Sequence, residues 1–437
     1  MKKILALAAL LPAVILSAQN PVIQGQFTAD PTARVFGGKV WLYASHDIIS
    51  PVEPERKWFC MEDYHVFSSE DLVHWTDHGV ILDQKDVPWG NPEGYSMWAP
   101  DCVERNGKYY FYFPDAPKAG RGFAVGVAVA DRPEGPFKAE ENSVQGVFGI
   151  DPCVLVASDG NAYLYWSGMG FSGAKLKENM IELDGLSVRL DAGLPGPGLK
   201  EGPFVFERDG KFYLTYPWVQ DRTEALVYAM ADSPLGPFEY KGKIMEKSVN
   251  ECWTNHHSFV EYKGQWYLFY HHNDYSPDFD KNRSVRIDKV RFNPDGTIEQ
   301  VTPTYRGVGI TPASGPIQVD RYSGIYHVAT YIDFLDPSKP FDGWYVRLGR
   351  RGAWVRYDEV DFGATAPSTV TIRYRGGAKV SVLLSDEESL GSFELPAAKA
   401  GWTEVTLPLT GTATGLRNLK LRLDEGSWLD VDWVSFE

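Results

Sequence analysis

Five polar residues of this 437-residue chain stand in five short contexts of one kind. They are Asp30 in "TADP" (28–31), Asp101 in "WAPD" (98–101), Asp151 in "GIDP" (149–152), Glu201 in "KEGP" (200–203) and His257 in "NHHS" (255–258), with His256 beside it. A strand-like run follows each. Carboxylates gathered at one partly buried place repel one another, so their pKa values separate, and one site then holds both a base and an acid near neutral pH. Glycoside hydrolysis needs such a pair. Taken singly, an Asp or Glu beside Pro or Gly reads as a turn former or strand-end cap; four acids in one repeated slot read as a set. Proline or Gly-Pro follows three of them, which ends backbone pairing and lets the side chain project from the strand start.

The elements that must bring these residues together are legible as a repeat. "GGKVWLYASHD", "NGKYYFYFPDA", "DGNAYLYWSGM", "DGKFYLTYPWV" and "KGQWYLFYHHN" each place a turn before alternating aromatics, the period of a strand. The turn glycines at 38, 107, 160, 210 and 264 recur at intervals of 69, 53, 50 and 54 residues, a propeller-blade period with an insertion in the first unit. Some units close on a further turn and outer strand, as in "ADRPEGPFKAE" and "ADSPLGPFEYKGKI". The expected fold is all-β, a five-bladed β-propeller over 19–305 whose innermost strands surround an axial channel, so that the residues opening them meet at one mouth. A stacked pair of β-sandwiches is the alternative, and it explains the fixed polar slot less well. A Pro- and Gly-containing stretch at 303–316 reads as a linker. Residues 317–437 show short alternating strands without the blade pattern and read as a second, β-sandwich (jelly-roll) domain.

The first 18 residues carry two lysines, an apolar run and small residues before Gln19, which predicts a signal peptide cleaved near Ala18 and a periplasmic or secreted protein. The run is too short to span a bilayer, and no other segment reads as a membrane span. The formal net charge is −15, without long charged runs, which argues against nucleic acid as a partner. Aromatics make up 14% of the residues and suit blade cores and sugar-stacking surfaces alike. Cys60, Cys102, Cys153 and Cys252 match no zinc spacing; buried thiols and one disulfide remain equal readings.

With "ADP", "IDP" and "EGP" in this order on successive repeats, residues 21–310 resemble glycoside hydrolase family 43. The resemblance implies that Asp30 is a general base acting on water, Glu201 the general acid, and Asp151 the residue that tunes and orients the acid. It implies inversion of anomeric configuration, with the two carboxyls about 6.5–9.5 Å apart. Trp98 and Asp101 are implied in substrate binding, as are His257, Arg283 and Arg286. His256 or His257 would face the axial channel, where relatives often hold a structural calcium; the chemistry itself calls for no cofactor. The leading expectation is an exo-acting enzyme that releases α-L-arabinofuranosyl groups from plant polysaccharide or oligosaccharide (arabinan, arabinoxylan or arabinogalactan). A β-xylosidase, an exo-β-galactosidase or a non-catalytic carbohydrate-binding propeller are the alternatives. The insertion "DIISPVEPERKWFCMEDYHVF" is expected to wall one end of the site. The C-terminal region resembles a family 6 carbohydrate-binding module through "IQVDRYSG", "GRRGAWVRYDEVDFG" and "LDVDWVSF". That resemblance offers Trp344, Tyr345, Trp402 and Trp428 as stacking aromatics, with Asp320 in place of the usual Glu near the module's start.

Overall fold

A computed structural model describes residues 19–437 except 56–57, 249–251, 385–386 and 398–400. The expected leader at 1–18 lies outside the described residues. Five antiparallel meanders follow one another. Blade one is Thr28–Phe36, Lys39–Asp47, Met61–Ser69 and Thr76–Asp83; blade two is Asp101–Arg105, Lys108–Asp115, Ala124–Ala130 and Lys138–Ala139. Blade three is Ile150–Val156, Ala162–Gly168, Gly170–Lys175 and Val188–Arg189; blade four is Phe204–Arg208, Lys211–Val219, Glu224–Ala231 and Glu239–Met245. Blade five has three strands, His257–Tyr262, Gln265–His272 and Ser284–Val290. In blades one, two, four and five the first turn has positive φ at both central residues, for example Asn106 (55°) and Gly107 (74°) or Asp209 (51°) and Gly210 (71°). This is the hairpin turn whose twist matches the strands it joins.

The first strands of the blades touch in cyclic order, one to two, two to three, and so on back from five to one. Aromatics fill the spaces between blades: Tyr43 of blade one lies 5.8 Å from Phe111 of blade two, and Phe206 of blade four 5.0 Å from Phe259 of blade five. Arg34, on the first strand of blade one, reaches across the axis. It meets the Asp101 carboxylate at 2.6 Å in blade two, donates to the Val154 carbonyl in blade three at 3.1 Å, and lies 4.9 Å over the Phe204 ring in blade four. The ring is laced where the two ends of the propeller meet. Val22 and Thr28 donate backbone N–H groups to Val285 and Arg283 of blade five, and the Asn20 amide bonds Ile287 and Thr304.

The C-terminal domain is two facing sheets, one ordered around Trp354–Asp361, Leu416–Glu425 and Ala378–Leu384, the other around Trp344–Leu348, Leu429–Phe436 and Thr369–Gly376. It begins before residue 317, because Thr311–Pro312 pairs in parallel with Val360–Asp361. The stretch read as a linker is tied down: Thr304 donates to the Asp288 carboxylate and Arg306 Nε to the Asp358 carbonyl. Trp344 does not offer its face to sugar. It is 2% exposed, stacks on Tyr275 of the propeller at 4.7 Å, and carries Arg321 4.2 Å above its ring. Tyr345 is buried, whereas Trp402 is half-buried and Trp428 exposed. All four cysteines are buried thiols, so the disulfide reading is set aside. Among the described residues no helix is long and apolar enough to cross a membrane.

Candidate active site

Three of the five slot residues converge. Asp30, Asp151 and Glu201 line one cavity at the mouth of the ring, together with Phe59, Trp98, Glu224, Trp253, His256 and Arg283. The backbone explains which slots contribute. Asp30 and Asp151 have positive φ, 49° and 54°, and each lies at a break in the pairing register of its first hairpin. A left-handed residue at a bulge turns its side chain out of the regular alternation. Glu201 precedes its strand, and the left-handed residue there is Gly202 at φ 59°. A Cβ on Gly202 would stand 2.7 Å from His256 Nδ1, so only glycine fits. Asp101 and His257 open regular strands and point elsewhere.

Asp30 is held from several sides. Arg283 donates Nη1 to Oδ1 at 2.7 Å and Nη2 to Oδ2 at 3.2 Å, and the Ser45 hydroxyl donates to Oδ2 at 3.0 Å. The Asp30 backbone N–H donates to His271 Nδ1 at 3.1 Å. Burial, then the Arg283 charge, keep the His271 imidazole neutral, so Nδ1 is free to accept and Nε2–H faces Thr254. Arg283 is shared: its Nε and Nη2 each meet Asp47 at 2.9 Å. One guanidinium therefore compensates two buried carboxylates.

The other acids are crowded and dry. Burial pushes Asp151 up to about 7, with the Glu201 and Asp30 charges acting in the same direction against His256. Its Oδ2 accepts from Gly202 N at 3.0 Å, so the residue beside Glu201 is anchored to Asp151. Burial also raises Glu201, against the opposing effects of a hydrogen bond with Glu224 and the Arg283 charge. Glu224 was missed in the sequence. It opens the third strand of blade four, is 1% exposed, and has its pKa raised by burial and then by Glu201. Its Oε2 accepts from Asn255 N at 2.7 Å, while Oε1 meets no donor among the described residues. Two buried carboxyls that interact this closely titrate as a unit that gives up its last proton late. The only cue was a lone Glu opening the apolar run "EALVYAMA".

Aromatics complete the walls. Trp98 packs on Phe123 at 4.5 Å, and Phe59, from the blade-one insertion, lies under Arg283 at 5.0 Å. The insertion thus walls one end of the cavity, as expected. Three expected substrate contacts lie outside it. Asp101 is bound to Arg34 and to the backbone of Cys102 and Val154. Arg286 is buried against Asp274 and lies 4.1 Å over the Tyr305 ring. His257 is buried, with Nε2 on the Thr215 hydroxyl at 2.6 Å. Among the described residues its Nδ1 has no hydrogen-bond partner, and His256 lines the cavity. Calcium takes six to eight oxygen ligands. Among the described residues no group of three ligating His, Cys, Asp or Glu side chains forms around either histidine, so a calcium there would take most of its oxygen ligands from water.

A family model described as glycosyl hydrolases family 43 matches residues 18–298, and one for the carbohydrate binding module (family 6) matches 331–437. Xylosidase/arabinosidase 43A of Humicola insolens is 36% identical over 332 residues, which take in 65% of this chain and 99% of that protein. An arabinoxylan arabinofuranohydrolase of Paenibacillus polymyxa is 27% identical over 481 residues, 95% of this chain and 74% of that one. Among solved structures, CoXyl43, a β-xylosidase/α-arabinofuranosidase from a compost microbial metagenome in complex with xylotriose, is 35% identical with a TM-score of 0.59. The match covers 65% of this chain and 97% of that one.

Proposed function

Since this chain belongs to glycosyl hydrolases family 43 and is a glycoside hydrolase, we propose that it is an inverting, exo-acting enzyme releasing terminal α-L-arabinofuranosyl residues from arabinoxylan-type plant polysaccharide. The observation that carries this reading is the meeting of Asp30, Asp151 and Glu201 in one walled cavity. In the proposed step Asp30 takes a proton from water as the water oxygen bonds to the anomeric carbon. On the opposite face, Glu201 gives its proton to the departing glycosidic oxygen, so the product carries the inverted configuration. Asp151 positions the acid through Gly202, and Glu224 shares a proton with it. Export across the inner membrane fits the leader sequence and a polymeric substrate.

A second reading, release of β-D-xylosyl residues, is favoured by the names of relatives such as the xylosidase/arabinosidase of Bacteroides ovatus, 35% identical over 321 residues. Both pentoses present an anomeric carbon to the same acids, and the sugar ring is selected by Trp98, Phe59 and Trp253. The test is a panel of aryl α-L-arabinofuranoside, β-D-xyloside and β-D-galactoside, with the first product followed by proton NMR. Arabinose appearing first in the inverted anomer supports the proposal, and xylose appearing first supports the second reading. Retention, or oligomers before any monosaccharide from arabinan, would overturn it. Equal sugar binding by wild type and E201Q without turnover by either would leave a binding propeller in its place.

A further inference from the structure

On blade one, outside the catalytic cavity, three side chains aim their ligating atoms at one point. His46 Nδ1 lies 3.1 Å from Asp63 Oδ1, and His65 Nε2 lies 3.7 Å from the same oxygen. All three ligand atoms fall within 4.8 Å of one another, and no other such group occurs among the described residues. The backbone arranges this. Pairing between Lys39–Asp47 and Met61–Ser69 slips register between Ser45 and Asp47, which takes His46 out of the ladder and lets it approach Asp63. The two imidazoles stand 5.0 Å apart at 69°.

The geometry points to a site for a divalent transition ion of the zinc class, held by His46 Nδ1, Asp63 Oδ1 and His65 Nε2. A tetrahedral zinc at about 2.0–2.1 Å from N and O ligands needs those atoms about 3.3 Å apart, and the two separations above straddle that value. A two-imidazole, one-carboxylate set suits zinc, cobalt or nickel rather than calcium or magnesium, which take oxygen. A second observation bears on the same point. His65 Nδ1 is buried and makes no hydrogen bond among the described residues, yet Asp77 Oδ1 stands 3.5 Å away. Metal on Nε2 fixes the proton on Nδ1, and a small rotation then gives Asp77 that proton to accept, the carboxylate–imidazole–metal arrangement that orients ligating histidines. A plain ion pair explains His46 with Asp63, whereas His65 approaches Asp63 and Asp77 only at 3.7 and 3.5 Å, longer than a good hydrogen bond. The three side chains retain 23%, 10% and 12% of their exposure, so an ion can reach them and keep a water in the fourth position. Bound there, it would cross-link the strands on either side of Ser45 and Asp47, which contact Asp30 and Arg283.

The test uses untagged full-length protein stripped with a chelator. Titration with Co²⁺ is expected to give one equivalent with the visible d–d absorption of a four-coordinate N/O site, and Zn²⁺ to displace it, while Ca²⁺ does not. Zinc is expected to raise the unfolding temperature of wild type. H46Q and H65Q should each weaken binding about 10–100-fold or more, with circular dichroism confirming the fold. X-ray absorption on zinc-loaded wild type, which depends on no variant, should show imidazole scattering in the first shell. Absence of stoichiometric Co²⁺ or Zn²⁺ binding by wild type overturns the assignment, as does binding undiminished in both variants.

Discussion

Arg283 grips Asp30 through both terminal nitrogens, at 2.7 and 3.2 Å, although the two residues are 253 positions apart in the chain. The same guanidinium holds Asp47, so no shorter cation can satisfy both carboxylates. R283K keeps the charge and loses the fork. It is expected to leave one carboxylate without its partner, to misplace Asp30, and to lower kcat/KM about 100-fold or more. Thermal unfolding should move down in parallel. Wild-type kinetics in R283K would remove Arg283 from the site's architecture.

The roles of Asp30 and Glu201 separate by leaving group. E201Q should lose about 10²–10⁴-fold on a natural disaccharide, and far less on a dinitrophenyl glycoside, whose leaving oxygen needs no proton. D30N should lose comparably on both, because each needs activated water. The comparison of the two substrates on each variant checks the assignment; the reverse pattern would exchange the roles.

In the proposed mechanism Glu224 sets the pH at which the acid stops working. Burial raises both Glu201 and Glu224, and their contact delays loss of the last shared proton. Activity that needs this proton persists to higher pH than a lone Glu would allow, then falls as the pair ionises. E224Q removes the second carboxyl, so the alkaline limb of the kcat/KM profile should move to lower pH, with KM at the optimum little changed. An unmoved limb would reduce Glu224 to packing.

G202A tests the backbone of the acid. The left-handed conformation costs a side-chain-bearing residue about 1–3 kcal/mol, and the added methyl meets His256. Reduced stability together with reduced kcat is expected, because Glu201 and the Asp151 contact to Gly202 N shift as one. Chemical denaturation and steady-state kinetics on the same preparation measure both.

W344A should separate stability from chemistry. The indole is buried between Tyr275 and Arg321 at the domain junction. Truncation should cost about 3–5 kcal/mol, while hydrolysis of small aryl glycosides by the folded fraction stays near wild type. A change in kcat as large as that of E201Q would mean that the junction reaches the active site.

Much of this architecture is written locally. Asn106-Gly107 and Asp209-Gly210 mark hairpin turns because few residues tolerate the two positive φ values there, and the aromatic alternation after them is the strand period. The slot residues were less equal than their repetition suggested. Asp30, Asp151 and Glu201, the acids followed by Pro or Gly-Pro, sit at or beside left-handed positions and reach the cavity; Asp101, preceded by its proline, and His257, with none, begin regular strands and do not line it. Arg286 lies three residues beyond Arg283, an odd offset that changes face in a two-residue pleat, and only the pairing with Asp274 reveals its structural use. Glu224 could not be found by motif, since its importance lies in what it touches across a blade. Trp344 looked like a sugar platform because composition does not say which domain faces an aromatic.

The lacing of residues 20–28 onto blade five has a consequence in time. The proposed base arrives in the first strand of the propeller and its guanidinium partner beside the last, so four blades can form without a working centre. Activity in a refolding experiment should therefore appear only in the phase that closes the ring, later than the recovery of strand signal from individual blades. A chain cut after blade four would hold Asp151 and Glu201 at the openings of their blades and still hydrolyse nothing, because the enzyme comes into being at the seam.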